Sequence, residues 1–309
     1  MTKNSNLYQL DGRVPLLQAV PFGLQHVLAM FVSNITPIII LANVVGLESS
    51  LSAALIQNCM IIAGIGTLIQ LYPVWRIGSR LPIVMGISFT FLSLSIFIAT
   101  THGMGALIAA VIVGGIVEGL LGLFAKYWIK IISPVVAATV VTAIGFSLLP
   151  IGANSFAGGQ GASDFGAMHN WIVGTVTMLT CLGCQVFAKG FLRSLSVLVG
   201  LIVGYILAVC MGLLTTIPQA VLGGCTIIMF GSIMFAGFGM LAKCGFNDRN
   251  MVIVALSLSV GLGFTQATGM FSIFPQIIQT VFAENCVAVV FLLAVILNLI
   301  LPKEKKTVE

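Results

Sequence analysis

The sequence predicts an all-α polytopic membrane protein of about ten transmembrane helices. Three observations carry that prediction. Hydrophobic residues fill 59% of the 309 positions and charged residues only 7%, against about 25% charged in an average soluble domain. The apolar runs are uniform rather than alternating, which argues against barrel strands; helices then remain as the way to satisfy a backbone in lipid. The basic residues also segregate. With a cytoplasmic N-terminus, all thirteen Lys and Arg fall in the inner segments 1–19, 73–81, 125–131, 188–194, 243–249 and 302–309, while Glu48, Asp164 and Glu284 fall in outer loops. One span more or fewer would destroy that positive-inside pattern. Both termini are therefore expected in the cytoplasm and the chain in the cell (inner) membrane. The first long apolar run lacks a small-residue cleavage site, so no cleavable signal peptide is expected.

The expected spans are 20–44, 51–72, 82–99, 104–124, 132–151, 171–187, 195–214, 217–242, 250–268 and 285–301. The first carries Gln25-His26 within Leu, Val and Phe. A polar pair in hydrocarbon must find a partner, and an ionisable residue there marks a substrate or proton site by default. The third is weakened by Pro82 and Gly86 and places Ser88 and Thr90 beside Phe89 and Phe91. Transporters build midplane sites from such interrupted spans, and rings beside hydroxyls suit a flat, hydrogen-bonding ligand. Ordinary Ser/Thr bonding to the preceding helical turn fits the same residues.

The fourth span contains Glu118, the one carboxylate placed within a span, eight residues before Lys126 and so roughly 12 Å deeper. It either lines a pathway or is tied to inner-side groups. Gly114-Gly115 with Gly119, and Gly200 with Gly204 in the seventh span, have helix-packing spacing. Cys181 and Cys184 in the sixth span have the spacing of a redox or metal pair, but no second pair or neighbouring His accompanies them, so packing is the expectation. Pro218 and Gly223-Gly224 mark a broken entry to the eighth span. His102 and His169 fall in outer loops, as solvated histidines. No phosphate loop, nucleophile elbow or zinc motif is present in the sequence. An enzyme, a metal and a cofactor are accordingly not expected. The net charge of +5 is scattered singly or in pairs, so lipid rather than nucleic acid is the expected partner.

Several motifs resemble one family. Gly23-Leu-Gln-His-Val-Leu-Ala-Met-Phe31 with Thr36-Pro37, Ala63 through Gln70, Leu81 through Phe89 and Pro134-Val-Val are similar to the nucleobase–ascorbate transporters, the nucleobase:cation symporters. The loop Ala157 through Gly166 resembles their xanthine/uric acid permease branch, and Ile217 through Gly231, Asn247-Asp-Arg-Asn250 and Ala255 through Leu258 extend the match. The resemblance implies fourteen spans in two inverted seven-span repeats, with spans one to four and eight to eleven as core and the others as gate. Substrate would lie between interrupted spans three and ten. It further implies that Gln25 and His26 organise the core, and that Ser88 and Phe89, with Thr90 beside them, face a purine such as xanthine or urate.

The chain departs from that pattern after Val209 through Thr216. It passes directly to the motif that opens the family's twelfth span, so spans eight to eleven, with their glutamate and Asn-x-Gly signature, have no counterpart. The expected organisation is therefore 1–214 as the first repeat (core spans one to four, gate spans five to seven) and 215–309 as the last three spans, the gate part of the second repeat. Loss of four spans, an even number, preserves orientation. The implied function is purine transport by proton or cation symport, in which His26 and Glu118 are the titratable groups left within spans. A homodimer is a further expectation. The alternative is a truncated, non-transporting remnant or an accessory subunit of an intact permease.

Overall fold

The computed structural model describes residues 12, 15–159, 162–189, 191–213, 219–267, 269–283 and 285–302. Ten main helices follow one another: α1 (Leu16–Val45), α2 (Ser49–Leu71), α3 (Leu92–His102), α4 (Met104–Leu123), α5 (Pro134–Phe156), α6 (Met168–Phe187), α7 (Ser196–Cys210), α8 (Gln219–Cys244), α9 (Asp248–Gln266) and α10 (Cys286–Ile300). Each overlaps one expected span, although α3 takes up only the second part of the third one, 82–99. Six (α1 from His26, α2, α4, α5, α6 and α8) are long and apolar enough to cross a membrane. Phe89–His102, α7 and α10 are apolar but shorter, and α9, though 19 residues long, opens on the charged pair Asp248-Arg249. No strand occurs among the described residues; an isolated bridge joins Val74 and Ile77. The chain is an all-α polytopic membrane protein.

Local chemistry sets the helix ends. Gly46 terminates α1 in the left-handed region at φ 71°, where its N–H reaches the Asn43 carbonyl and Leu47 N–H reaches that of Ala42; a glycine takes this conformation without strain. Pro134 opens α5, at the one helical position where its missing N–H costs nothing. The Asn247 side chain caps α9 by accepting from Asn250 N–H at 2.8 Å, with Asp248 in the first turn facing the positive helix end.

The chain divides into two compact units, 1–88 with 152–229 and 89–151 with 230–309. In the first, α1 packs on α2 and on α7, and α6 pairs with α7. Its core gathers Val173, Ala208, Ala220 and Val221. Here the glycine spacing does what the sequence implied: a methyl added at Gly200 would strike Cys181 Sγ, and one at Gly204 would strike Thr177 and Val221. Small residues let backbones approach where no water-driven force pulls helices together. Gly114, Gly115 and Gly119 behave differently, meeting nothing within 4 Å.

In the second unit α3 packs on α4, and α9 pairs with α10. A core of Val135, Val136, Ala138, Leu241, Ile253 and Ala294 joins α5, α8, α9 and α10, and Gly261 of α9 lies against Val290 of α10. The rings of Phe146 and Phe238 meet edge to face at 6.3 Å, a favoured aromatic geometry. The large apolar side chains of α4 from Ile108 to Leu123 are exposed, as expected of a helix whose solvent is lipid.

Candidate functional site

The third expected span is interrupted where Pro82 and Gly86 weaken it. Residues 82–88 form neither helix nor strand, a single 3-10 turn covers Phe89–Phe91, and only then does α3 begin. Irregular backbone leaves amides outside any ladder, so they need acceptors elsewhere. Two helices of the first unit supply them. Met85 N–H donates to Thr67 Oγ1 of α2 at 2.9 Å, and Ile87 N–H donates to Asn34 Oδ1 of α1 at 2.7 Å. Thr67 in turn donates to the Ala63 carbonyl at 2.7 Å, which fixes its hydroxyl. Asn34 is only 2% exposed, so its amide is aimed at the segment rather than at solvent. Gly86 permits the approach: a Cβ there would stand 2.6 Å from Asn34 Oδ1.

Three amides of the segment are taken up, that of Ile83 by the Leu81 carbonyl and those of Met85 and Ile87 by Thr67 and Asn34. Val84 and Gly86 N–H have no hydrogen-bond partner among the described residues. Residues 81–88 are also exposed. Irregular backbone at membrane depth is tolerated only where it lines a cavity or is covered by protein. The two unpaired backbone donors at Val84 and Gly86 can each donate to a partner that carries an acceptor atom.

The expected site residues fall out as follows. Ser88, Phe89 and Thr90 sit where the irregular segment passes into the 3-10 turn; Ser88 is exposed, while Phe89 and Thr90 are half-buried. Within the second unit the Phe89 ring meets Phe230 edge to face at 5.2 Å. His26 lies on α1, exposed and without a hydrogen bond among the described residues; the side chain of Gln25 is not among those described. Glu118 is exposed on α4 and makes no ion pair among the described residues. The α1 group that reaches the third span is Asn34, eight residues beyond His26. Asn34 and Thr67 were not singled out in the sequence, although both fall in segments where a lone polar residue amid apolar ones was the available signal.

The cysteine pair separates. Cys181 is buried with its Sγ 3.8 Å from that of Cys225 on α8, and Cys184 stands apart from it. Among the described residues no group of three His, Cys, Asp or Glu side chains could hold a metal. His169 lies in the first turn of α6 rather than in the loop, where its Nε2 meets Asp164 Oδ2 at 2.8 Å, and Asn170 beside it donates to the Asp164 and Ala157 carbonyls. The His169 hydrogen bond, followed by that of Asn170, holds the Asp164 carboxyl below the ordinary carboxylate range. His169 is therefore engaged with a carboxylate rather than simply solvated.

The family model described as the Permease family matches residues 17–215 and 211–270. The chain belongs to this permease family. It is 36% identical over 196 residues to the uric acid permease PucK of Bacillus subtilis, covering 63% of this chain and 46% of that relative. It is 32% identical over 195 residues to the xanthine permease of the same organism, covering 63% and 44%. To the xanthine permease XanQ of Escherichia coli K12 it is 23% identical over 437 residues, covering 96% of this chain and 94% of that relative. The chain spans about half the length of the Bacillus relatives it matches. An alignment of 437 positions against a chain of 309 leaves at least 128 without a counterpart (437 less 309). The two family segments meet at 211–215, where the sequence led us to expect the missing spans. Residues 214–218 themselves lie outside the described ones.

Proposed function

We propose that the chain is a purine nucleobase permease, with xanthine or urate as substrate and a proton or another cation as the coupling ion. The observation that carries the reading is the irregular segment 82–88, held by Asn34 and Thr67 and ending on Ser88, Phe89 and Thr90. Purine oxo groups and ring nitrogens offer acceptors to the Val84 and Gly86 amides and the Ser88 hydroxyl. The ring face matches Phe89, since aromatic stacking suits a planar heterocycle. Matches to relatives named as uric acid and xanthine permeases support the same substrate class.

The topology proposed with this reading has ten spans, both termini in the cytoplasm and the cell membrane as location; the Lys and Arg distribution supports the span count and the orientation. The proposed organisation is a first repeat over 1–214 and the gate part of a second over 215–309. His26 and Glu118 are the coupling candidates, because a proton-linked cycle needs a titratable group within the spans. A second copy of the chain is the proposed partner.

The test is uptake of radiolabelled xanthine by cells that lack their own purine permeases. Expression of the full chain is expected to give saturable uptake, reduced by excess unlabelled urate and unaffected by uridine. Uptake at background, from protein verified in the membrane, contradicts transport by this chain. Background uptake together with retained xanthine binding would instead assign it a binding role beside an intact permease.

A further inference from the structure

Four helix ends meet at one boundary of the second unit: the starts of α5 and α9 and the ends of α8 and α10. Asn298 near the end of α10 ties them. Its Oδ1 accepts from Ser133 Oγ at 3.1 Å and from Arg249 Nη2 at 3.0 Å, while Arg249 Nη2 also donates to the Asn298 carbonyl at 2.7 Å. Asn250 Nδ2 donates to the Cys244 and Gly245 carbonyls at the end of α8, at 3.1 Å each. Arg249 and Asn250 thus satisfy carbonyls that helix termini leave open.

Beside this network lies a cavity of about 450 Å³ lined by Ser133, Pro134, Lys243, Cys244, Arg249 and Asn250 among others. Among the described residues no carboxylate lines it; Asp248 sits in the first turn of α9 but is not part of the wall. Lys243 makes no hydrogen bond or ion pair among the described residues, so its charge faces the cavity rim without a counter-ion. The positive ends of α5 and α9 are offset here by the negative ends of α8 and α10, so the positive character of the recess comes from Lys243 and Arg249. The cavity lies at helix ends, which for a membrane helix is headgroup depth. Basic recesses between helix ends at that depth are where acidic lipid headgroups bind.

We propose that this recess binds a phosphate group, carried by an acidic phospholipid or free in solution, with Lys243 as its charge partner and the Ser133 and Asn250 side chains at its wall. The Asn298 network holds the floor rigid, so the site is formed before the anion arrives. It is separate from the irregular segment and does not depend on which substrate the chain carries.

The experiment uses the full chain purified in detergent and titrated with phosphatidylglycerol, phosphatidylcholine or inorganic phosphate, reading bound lipid by native mass spectrometry and stability by thermal melting. Phosphatidylglycerol is expected to be retained over phosphatidylcholine. Lys243→Gln should weaken that retention about fivefold, the equivalent of roughly 1 kcal/mol for one lysine near an anionic lipid, without lowering the melting temperature of the lipid-free protein. Lys126→Gln, an exposed lysine elsewhere, should leave retention unchanged. A melting shift with inorganic phosphate that Lys243→Gln abolishes identifies free phosphate as a source; a response to phosphatidylglycerol alone identifies the lipid. Equal retention of both lipids with no phosphate response, or unaltered binding in Lys243→Gln, overturns the proposal.

Discussion

Replacing Asn34 by Leu is expected to cut xanthine uptake by about tenfold or more while the chain still reaches the membrane. The leucine is close in size, but it offers no acceptor to Ile87 N–H, which now donates to Asn34 Oδ1 at 2.7 Å. Leaving a half-buried donor without its acceptor costs up to roughly 1–3 kcal/mol. The segment 82–88 would shift to recover a bond, and with it the amides of Val84 and Gly86 and the hydroxyl of Ser88. Gly86→Ala reaches the same end from the other side, because its methyl would stand 2.6 Å from Asn34 Oδ1. The two substitutions break one contact, so the double variant should be little worse than either alone. Additive losses in uptake would show that Asn34 and Gly86 act through separate contacts.

A second large effect is expected at Gly223. A side chain there would run into the backbone of Phe156, and backbone cannot rotate aside as a side chain can. Gly223→Val should therefore abolish the yield of monodisperse protein, since even ordinary overpacking costs about 1–3 kcal/mol. Gly114→Ala is the matched control, a helical glycine with nothing within 4 Å. It should be neutral or slightly stabilising, because Ala is the better helix former by roughly 1 kcal/mol. Comparable yields of the two variants would mean that α8 and α5 are not in close contact at this point.

The contrast between those glycines shows what the sequence could and could not convey. Helix positions were legible because length, hydropathy and charge act locally: every expected span has its helix, and Pro82 with Gly86 foretold the break in the third. Spacing alone did not separate Gly200 and Gly204, which touch α6, from Gly114 and Gly119, which touch nothing within 4 Å. What a glycine meets is a tertiary fact.

The polar residues make the same point. His26 drew attention because a histidine in an apolar run demands a partner, yet the side chain that reaches the third span is Asn34. Its partner is 53 residues away and Thr67's is 18 away, separations that no periodicity within a single span encodes. The break beside Ser88, Phe89 and Thr90, by contrast, was legible, since Pro82 and Gly86 lie within the same segment.

The central claim is that residues 82–90 form a purine-binding surface, and a cysteine at position 88 tests it most directly. Ser88 is exposed, so the thiol of Ser88→Cys should react with a water-soluble maleimide in membranes once the seven native cysteines are replaced by Ala or Ser. Xanthine is predicted to slow that reaction in a saturable manner, whereas uridine is not. An unchanged labelling rate at saturating xanthine and urate, in protein shown to be folded, would contradict the account.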